Sequence, residues 1–463
     1  MMAKAPADTH IAIAGAGLVG ALLAIQLGRR GYRVTLCERR PDPRAKGFIG
    51  GRSINLALSC RGITALERVR LADRVLEDAI RMPGRMLHDE AGNLTFQAYS
   101  SNPEDAIHSV SRGGLNITLL EALADYDNVE MLFEHRCVGA QLEMPAIYVE
   151  DTQTLKLIEA DYVIGCDGAF SAVRKEMQSQ NRFNYSQQYL DHGYKELTIP
   201  TASECGIDPA LHDGFAMDPN ALHIWPRGHY MMIALPNADR TFTCTLFWPF
   251  EGPESFDEVS SEGEVLPFFE KHFSDAVPLM PALVHNYMKN PIGSLVTVRC
   301  SPWHNHGKTV LMGDAAHAIV PFYGQGMNSG FEDCHVLGEL IDEHDGNLEE
   351  VFYKFSNCRI PNADAIADLA LDNFIEMRDS VANPMFLLRK RIEHALHSID
   401  AERFMPLYNL VSFSNIPYAE AREVGGEVVR LAQRIADAIG LERGQAMSDD
   451  ELSRVVTEHI SKD

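Results

Sequence analysis

A glycine-rich turn near the N-terminus constrains the fold of this chain more than any other feature. Gly15, Gly17 and Gly20 follow the apolar run His10–Ala14 and open a segment of helical character that we expect to stop at Gly31. In a strand–turn–helix unit, the first glycine permits a tight turn, the second lets the backbone approach a pyrophosphate, and the third allows close packing of helix and strand. The sequence therefore predicts a βαβ unit that binds a dinucleotide, with the phosphates at the helix N-terminus.

The second strand of this unit ends at an acidic residue. We predict that strand over residues 32–37, so that Glu38 is placed to accept hydrogen bonds from a ribose. A glycine-rich turn without a ligand would not account for Glu38. We also assign Leu18, Val19 and Arg39 to this cofactor site. The motif alone does not distinguish FAD from NAD.

The remaining pattern predicts a second, β-rich region and a helical C-terminal region. We predict further strands over Ile107–Ser111, 129–134, 161–166, 223–226, 231–235, 241–248 and 308–312. The predicted fold class is α/β, with a discontinuous Rossmann-like cofactor domain over residues 1–80, 100–180 and 290–380. An antiparallel β-rich substrate domain over 81–99 and 181–289 is inserted into it, and a helical region follows over 381–463.

The net charge and the cysteines limit the partners and the compartment. The formal net charge of −24 argues against nucleic acid and anionic membranes, because both attract basic surfaces. The nine cysteines are odd in number and contain no CxxC pair, which favours free thiols in a reducing cytoplasm over a zinc site or a thiol nucleophile. We see no signal peptide and no run of about 18 apolar residues, so we expect a cytoplasmic protein without a membrane anchor.

Two further motifs separate FAD from NAD. One is Asp167-Gly after a predicted strand, and the other is Gly-Asp314-Ala-Ala-His317, which precedes a segment rich in proline and glycine at residues 321–328. Together with the glycine turn, and in this order, these motifs resemble the class A flavin monooxygenases, the family of 4-hydroxybenzoate hydroxylase. The resemblance implies FAD as the cofactor, with Asp314 on the ribityl chain and the segment 321–328 facing the flavin ring.

The same resemblance assigns further residues to FAD. Arg112 heads a predicted helical segment, and the family places this arginine on the cofactor; a surface salt bridge is the alternative. A helix N-terminus over residues 324–328 would stabilise the negative charge of reduced flavin, because its first N–H groups lack partners within the helix. The implied FAD contacts are Ala57, Arg112, Asp167, Asp314, Gly324, Gln325, Gly326, Met327 and Asn328.

Five longer strings narrow the resemblance. They are GRSINLAL at 51–58, GRM at 84–86, HGYKEL at 192–197, NALHIWP at 220–226 and LVSF at 410–413. They resemble the kynurenine 3-monooxygenase family, from about residue 9 to about residue 425. Mitochondrial members of that family carry a C-terminal membrane anchor, whereas this chain resembles the soluble bacterial-type members.

The resemblance also implies how an α-amino acid is bound. Arg85 matches the arginine that binds the substrate carboxylate, to which a guanidinium offers a bidentate fork. Tyr99 and Tyr408 match the tyrosines that complete this site, whereas Asn373 faces the amino-acid end, with Met377 one helical turn later. Five residues match the apolar wall around the aniline ring: Leu222, Ile233, Leu235, Phe247 and Phe322. Without the family resemblance, each of them could be an ordinary residue of the hydrophobic core.

Three features of the implied site stay open. Tyr323 stands where we expect His in a soluble relative, so the resemblance assigns it no role. Segment 382–402 resembles the helical stretch that closes the active site. No residue is assigned to NADPH, which we expect to bind transiently because the sequence shows no second Rossmann unit.

The implied activity is the hydroxylation of L-kynurenine to 3-hydroxy-L-kynurenine with NADPH and O₂, through a C4a-hydroperoxyflavin. We assign no catalytic side chain, because the flavin carries the chemistry and the aniline ring is already electron-rich. The alternatives are a flavin hydroxylase of another aromatic acid and, more remotely, a non-catalytic binding module with the same fold. The oligomer that we consider is a homodimer.

Overall fold

The computed structural model describes residues 4–46, 55–151, 154–377 and 383–461. Residues 51–54 of the string at 51–58, and residue 382 of the segment 382–402, lie outside the described residues. The chain forms two compact units. The first comprises Met1–Ala79, Val110–Tyr189 and Val296–Ala370, and the second comprises Ile80–Ser109, Leu190–Leu295 and Leu371–Asp463. Each unit therefore gathers three separate stretches of the chain.

Within the described residues, strands and helices are mixed up to Leu311, and only helices follow. The strands are β1 (His10–Ala14), β2 (Arg33–Cys37), β3 (Asn55–Leu58), β4 (Ile80–Met82), β5 (Gly84–His88), β6 (Leu94–Ala98), β7 (Ile107–Ser111), β8 (Val129–Leu132), β9 (Arg136–Gln141), β10 (Ala146–Glu150), β11 (Leu155–Glu159), β12 (Tyr162–Gly165), β13 (Asn184–Ile199), β14 (Leu222–Pro226), β15 (Met231–Pro236), β16 (Phe242–Pro249), β17 (Ile292–Ser301), β18 (His304–Asn305) and β19 (Thr309–Leu311). The helices are α1 (Leu18–Arg29), α2 (Pro43–Lys46), α3 (Cys60–Arg68), α4 (Ala72–Glu77), α5 (Arg112–Ala122), α6 (Ala172–Met177), α7 (Glu262–His272), α8 (Leu283–Lys289), α9 (Asp314–His317), α10 (Gly326–Glu343), α11 (Leu348–Ile375), α12 (Pro384–Ile399), α13 (Leu407–Ser412), α14 (Tyr418–Ile439), α15 (Leu441–Ala446) and α16 (Asp449–Ile460).

The central sheet of the first unit is built around the strand that precedes the glycine turn. β1 pairs in parallel with β2 on one side and with β12 on the other, within the strand order β18-β19-β12-β1-β2-β8. A central parallel strand is covered on both faces, which explains why residues 11–14 are all apolar and all buried. The predicted α/β class and the βαβ unit are confirmed, and the predicted strand ends differ from the observed ones by at most two residues.

Helix α1 follows the turn and is buried for most of its length. Residues 20–28 are all buried, because α1 packs against both α5 and α10. Gly28 permits the close approach of the neighbouring strand, since a Cβ at this position would lie 2.8 Å from Cγ2 of Val129 on β8. The helix ends at Arg29, close to the stop predicted at Gly31.

The second unit is organised by a seven-stranded sheet in the order β17-β13-β16-β15-β14-β5-β6. β14, β15 and β16 form an antiparallel meander, whereas β5 joins β14 in parallel. One face of this sheet packs into an apolar core with α7 and α8. The core includes Trp225, Met232, Cys244, Leu246, Trp248, Phe269, Phe273 and Tyr287.

The C-terminal helices of the second unit form an apolar cluster of their own. α12 packs against α14 and α16, with Leu388, Ile392 and Leu396 contributing from α12. These three positions recur at a spacing of four residues, so they lie on one face of the helix. The predicted helical character of this region is confirmed.

Two further observations concern membrane-spanning helices and the cysteine thiols. A helix that crosses a bilayer needs about 20 predominantly apolar residues, and none of the helices in the described ranges meets that requirement. The nine cysteines are all free thiols. Burial raises the pKa of Cys37 to about 12, with a smaller contribution from Glu130, so this thiol stays protonated at neutral pH.

Candidate cofactor and substrate sites

The three glycines of the turn lie in three different steric environments. Gly15 has a φ of +98°, and a Cβ there would lie 2.4 Å from the carbonyl oxygen of Cys166. A Cβ on Gly20 would lie 1.9 Å from the carbonyl oxygen of Gly15, so helix and strand meet without space for a side chain. A Cβ on Gly17 would meet nothing within 4 Å. The turn is therefore open at Gly17, the N-cap of α1, where a pyrophosphate fits.

A cavity lies beside this turn, at the carboxyl end of β2. Glu38 sits at its edge, where Oε2 accepts a hydrogen bond from the backbone N of Ala16 (3.1 Å) and Oε1 accepts one from the backbone N of Arg40 (2.9 Å). The cavity is lined by Ala16, Gly17, Leu18, Glu38, Arg40, Pro41, Pro43, Arg112, Asn116, Leu120 and Phe133. A carboxylate, two guanidinium groups and apolar walls suit the ribose, phosphates and adenine of a dinucleotide.

The cavity contains residues that sequence reasoning missed. Arg40, rather than the predicted Arg39, lines it. Asn116 lies one helical turn after Arg112 on α5, and its Nδ2 donates to the carbonyl oxygen of Ala16 (3.1 Å). The helical spacing from Arg112 was a usable signal for Asn116. Phe133 offered no such signal, because it follows the distant strand β8.

The proline- and glycine-rich segment forms a tight turn before helix α10. A 3-10 turn at Pro321–Tyr323 leads into Gly324, and α10 starts at Gly326. The Asn328 side chain holds this turn in place, because Nδ2 donates to the carbonyl oxygens of Ala57 (2.8 Å) and Gly324 (2.9 Å). Its Oδ1 accepts from the backbone N of Ser59 (2.9 Å). The amide of Asn328 therefore anchors the N-terminus of α10, whose first N–H groups are available to a ligand.

Gln325 and Met327 flank this helix start in different environments. Gln325, the N-cap of α10, is buried beside Ser59, whose Oγ lies 3.5 Å from Oε1 of Gln325. Met327 is partly buried and packs against the core of the first unit. Phe322 and Tyr323 are both buried in the preceding turn.

Asp167 caps the short helix α6. Its Oδ2 accepts hydrogen bonds from the backbone N of Ala172 (2.6 Å) and of Val173 (3.3 Å). Burial raises the pKa of this carboxyl group, although hydrogen bonds from Ser171 and from the backbone oppose the shift. Its Oδ1 is buried and has no hydrogen-bond partner in the part of the chain that the structure describes. This buried carboxylate oxygen is therefore suited to accept a hydrogen bond from a ligand.

In the second unit, Arg85 lies close to two stacked tyrosines. The rings of Tyr99 and Tyr408 have centroids 4.8 Å apart and planes inclined by 15°. Burial raises the pKa of both hydroxyls, and the charge of Arg85 opposes the shift in both cases. Both hydroxyls therefore stay protonated at neutral pH and can donate to an anion. One guanidinium and two hydroxyl donors make a site suited to a carboxylate.

The register of the sheet decides where the predicted apolar wall lies. Leu222 is paired with Arg85, and Ile224 is paired with Ile233. Cross-strand partners point to the same face of a sheet, as do residues two apart on one strand. The residues on the face that carries Arg85 therefore include Leu222, Ile233, Leu235 and Phe247, which is paired with Met231. The apolar core cluster of this unit lies on the other face.

The remaining predicted contacts lie at the end of α11 and in the first unit. Asn373 donates from Nδ2 to the sulfur of Met377 (3.3 Å), four residues later. Phe322 belongs to the first unit, whereas Asn373 and Met377 belong to the second. α12, within the segment 382–402, packs in the C-terminal helical cluster. That this segment closes an active site stays a prediction.

Comparison with known proteins finds relatives along nearly the whole chain. Residues 8–347 match the FAD binding domain family. The chain is 44% identical to a kynurenine 3-monooxygenase of Myxococcus xanthus, over 99% of this chain and 98% of the relative. It is 46% identical to a kynurenine 3-monooxygenase of Anopheles gambiae, over 89% and 83% of the two chains. A solved structure of 2-methyl-3-hydroxypyridine-5-carboxylic acid oxygenase shares the fold, with a TM-score of 0.65, 20% identity, and coverage of 81% of this chain and 94% of that chain.

Proposed function

Since this chain belongs to the kynurenine 3-monooxygenase family of FAD-dependent monooxygenases, we propose that it hydroxylates L-kynurenine to 3-hydroxy-L-kynurenine with NADPH and O₂. The observation that carries the proposal is the face of the second sheet that combines Arg85 with Leu222, Ile233 and Phe247. A cation beside apolar side chains matches a substrate that has a carboxylate at one end and an aromatic ring at the other.

The first unit supplies the binding site for FAD. Gly17 leaves room for the pyrophosphate, and Glu38 lines the cavity in which the ribose of the adenosine would lie. Asp314 would hold the ribityl chain, and the N-terminus of α10 would stabilise negative charge on the flavin ring. When bound, FAD accepts a hydride from NADPH and activates O₂ for the transfer of one oxygen atom to the substrate ring.

The second unit orients the substrate. Arg85 would bind the carboxylate of L-kynurenine, and the protonated hydroxyls of Tyr99 and Tyr408 would donate to the same group. The apolar side chains Leu222 and Phe247 would contact the aniline ring and exclude water from it. The amino group of the aniline activates the ring position ortho to it, so the hydroxylation step needs no catalytic base from the protein.

The test is an absorption spectrum of the purified protein, followed by an assay of NADPH oxidation and product formation. The purified protein is expected to be yellow and to oxidise NADPH faster when L-kynurenine is added, with formation of 3-hydroxy-L-kynurenine. A phenolic acid such as 4-hydroxybenzoate serves as the comparison substrate, because it would need activation by deprotonation. A colourless protein, or a flavoprotein that hydroxylates the phenolic acid and leaves kynurenine unchanged, would contradict the proposal.

A further inference from the structure

Asp314 projects from an otherwise buried turn. Residues 311–318 are all buried except Asp314, which is exposed. Gly313, the N-cap of α9, has a φ of +57°, so the chain turns sharply at the point where Asp314 leaves the core. The contacts of the residues on either side of Asp314 therefore determine the position of its carboxylate.

Side chains from outside the turn hold it at three points. Oδ2 of Asp333, on α10, accepts hydrogen bonds from the backbone N of Gly313 (3.0 Å) and from Nε2 of His317 (2.6 Å). One carboxylate oxygen thus binds both ends of the turn that contains Asp314. Between these ends, Nη1 of Arg174 donates to the carbonyl oxygen of Ala315 (2.7 Å).

Asp333 belongs to a buried network of charges. Its Oδ1 accepts from Nε of Arg359 (2.8 Å), and Nη1 of Arg359 also pairs with Oε2 of Glu332 (2.5 Å). Arg61 on α3 pairs with the other oxygen of Glu332. All four charged side chains are buried. The network therefore pairs two arginines with two carboxylates.

The network keeps Asp333 ionised. Burial alone would raise the pKa of this carboxyl group, but the charges of His317 and Arg359 and the hydrogen bond from Gly313 hold the pKa below its ordinary value. Burying paired charges contributes little net stability, because their desolvation offsets most of their attraction. The buried charge network is therefore better explained by a specific role than by a contribution to the stability of the fold.

We propose that Asp333 and His317 are positioning residues for FAD: together they fix the turn that presents Asp314 to the cofactor. Neither residue needs to touch FAD. Asp333 sets the two ends of the turn, and Arg359 orients Asp333 through the ion pair with its second oxygen. This inference rests on the proposed function, because it takes Asp314 to bind the ribityl chain.

A second His–Asp pair, in which the histidine is buried and the aspartate is partly exposed, offers a control. In the second unit, Nδ1 of His88 lies 2.6 Å from Oδ2 of Asp275, the same separation as between His317 and Asp333. Asp275 also accepts a hydrogen bond from Nε1 of Trp225 (2.9 Å). Since Asp275 has no link to the turn that contains Asp314 among these contacts, Asp275→Asn reports the general effect of neutralising the carboxylate of a His–Asp pair.

The experiment compares FAD release from purified holoenzymes by the recovery of flavin fluorescence on dilution. The variants are Asp333→Asn, His317→Phe, His317→Gln and Asp275→Asn. His317→Phe keeps a ring against Trp303, whose ring stacks on His317 with centroids 4.9 Å apart, but removes the donor to Asp333. His317→Gln retains a donor N–H. Losing one charge-assisted hydrogen bond is expected to raise the Kd for FAD about tenfold or more in Asp333→Asn and His317→Phe.

The results of these variants distinguish a role of Asp333 and His317 in positioning the turn for FAD from a role in the stability of the fold. We expect His317→Gln and Asp275→Asn to keep a Kd for FAD near that of the wild type, whatever their thermal stability. Unchanged FAD affinity in His317→Phe would overturn the proposal, and so would equal losses in His317→Gln and His317→Phe. If Asp333→Asn does not fold, the two His317 variants decide. A wild type that holds no FAD would instead refute the proposed function.

Discussion

The rings of Tyr99 and Tyr408 stack with their centroids 4.8 Å apart, although one residue follows β6 and the other lies on α13. The Tyr99 hydroxyl is buried, and its hydrogen bond with the Tyr408 hydroxyl is poorly aligned. A buried hydroxyl in a poorly aligned hydrogen bond costs free energy, which a ligand oxygen would recover. The pair therefore fits a substrate carboxylate together with Arg85.

Arg85→Ala is expected to weaken L-kynurenine binding and to spare FAD. A hydrogen bond to a charged group contributes roughly 1.5–3 kcal/mol, so the Kd for kynurenine should rise on the order of 10–150-fold. Titration of the oxidised holoenzyme by its flavin absorbance measures this constant. Arg240→Ala, at an exposed turn of the same unit, is the control. An unchanged Kd in Arg85→Ala would place the carboxylate site elsewhere.

Tyr408→Phe tests whether the substrate controls flavin reduction. A carboxylate bound by Arg85 on β5 and by Tyr408 on α13 would join two elements of the second unit and raise the population of the state that NADPH reduces. L-Kynurenine should therefore speed anaerobic flavin reduction severalfold in the wild type. Tyr408→Phe should retain kynurenine binding but lose much of this stimulation in stopped-flow measurements. Equal rates with and without kynurenine in the wild type would exclude such control.

Gly17→Val is expected to abolish the retention of FAD. The branched side chain would enter the space where the backbone of the turn meets the pyrophosphate. Gly263→Val is a close control, because a Cβ on either glycine meets no protein atom within 4 Å and neither has a positive φ. The flavin-to-protein absorbance ratio after purification is the measurement. Stoichiometric FAD in Gly17→Val would show that the turn does not bind the pyrophosphate.

Asp314→Ala should lower FAD affinity and slow flavin reduction together. The exposed carboxylate would hold the ribityl chain, and it also begins the short helix α9. The expected loss is about 10–150-fold in the Kd for FAD, from one charge-assisted hydrogen bond. Fluorescence on dilution measures the affinity, and stopped-flow absorbance measures the rate. Normal values for both would leave Asp314 with a structural role only.

The buried His223 predicts how stability depends on pH. Burial lowers the pKa of His223 to about 4, and the charge of His88 also lowers it, whereas the hydrogen bond to Asp218 raises it. The unfolded chain binds this proton near pH 6.5. The folded state therefore loses stability as the pH falls from about 6.5 to about 4, by about 3 kcal/mol in total.

The variant His223→Asn removes this titration and retains an acceptor close to the position of Nδ1. Its free energy of unfolding should depend less steeply on pH between 7 and 4 than that of the wild type. Urea denaturation followed by tryptophan fluorescence gives both slopes. Parallel pH profiles for wild type and variant would show that His223 titrates normally in the folded protein.

The βαβ unit around the glycine turn followed from the sequence because its determinants are largely local. The positive φ of Gly15 and the close approach of Gly20 to the carbonyl oxygen of Gly15 are effects within a few residues, although Gly15 also faces the distant Cys166. The strand ahead of the turn was predicted for the same reason. The assignment of the family rested on strings of neighbouring residues, and the relatives confirm it.

Tertiary structure alone decided the residues that act across the chain. Strand β15 reads Met-Met-Ile-Ala-Leu-Pro, apolar at every position, so alternation does not reveal which face meets the core. Only its register with β14 and β16 places Ile233 on the face that carries Arg85. Likewise, no local pattern links Asp333 to Gly313 and His317, because their contact arises only when α10 packs beside the turn. Contacts between distant segments depend on how whole elements pack, which local propensity does not determine.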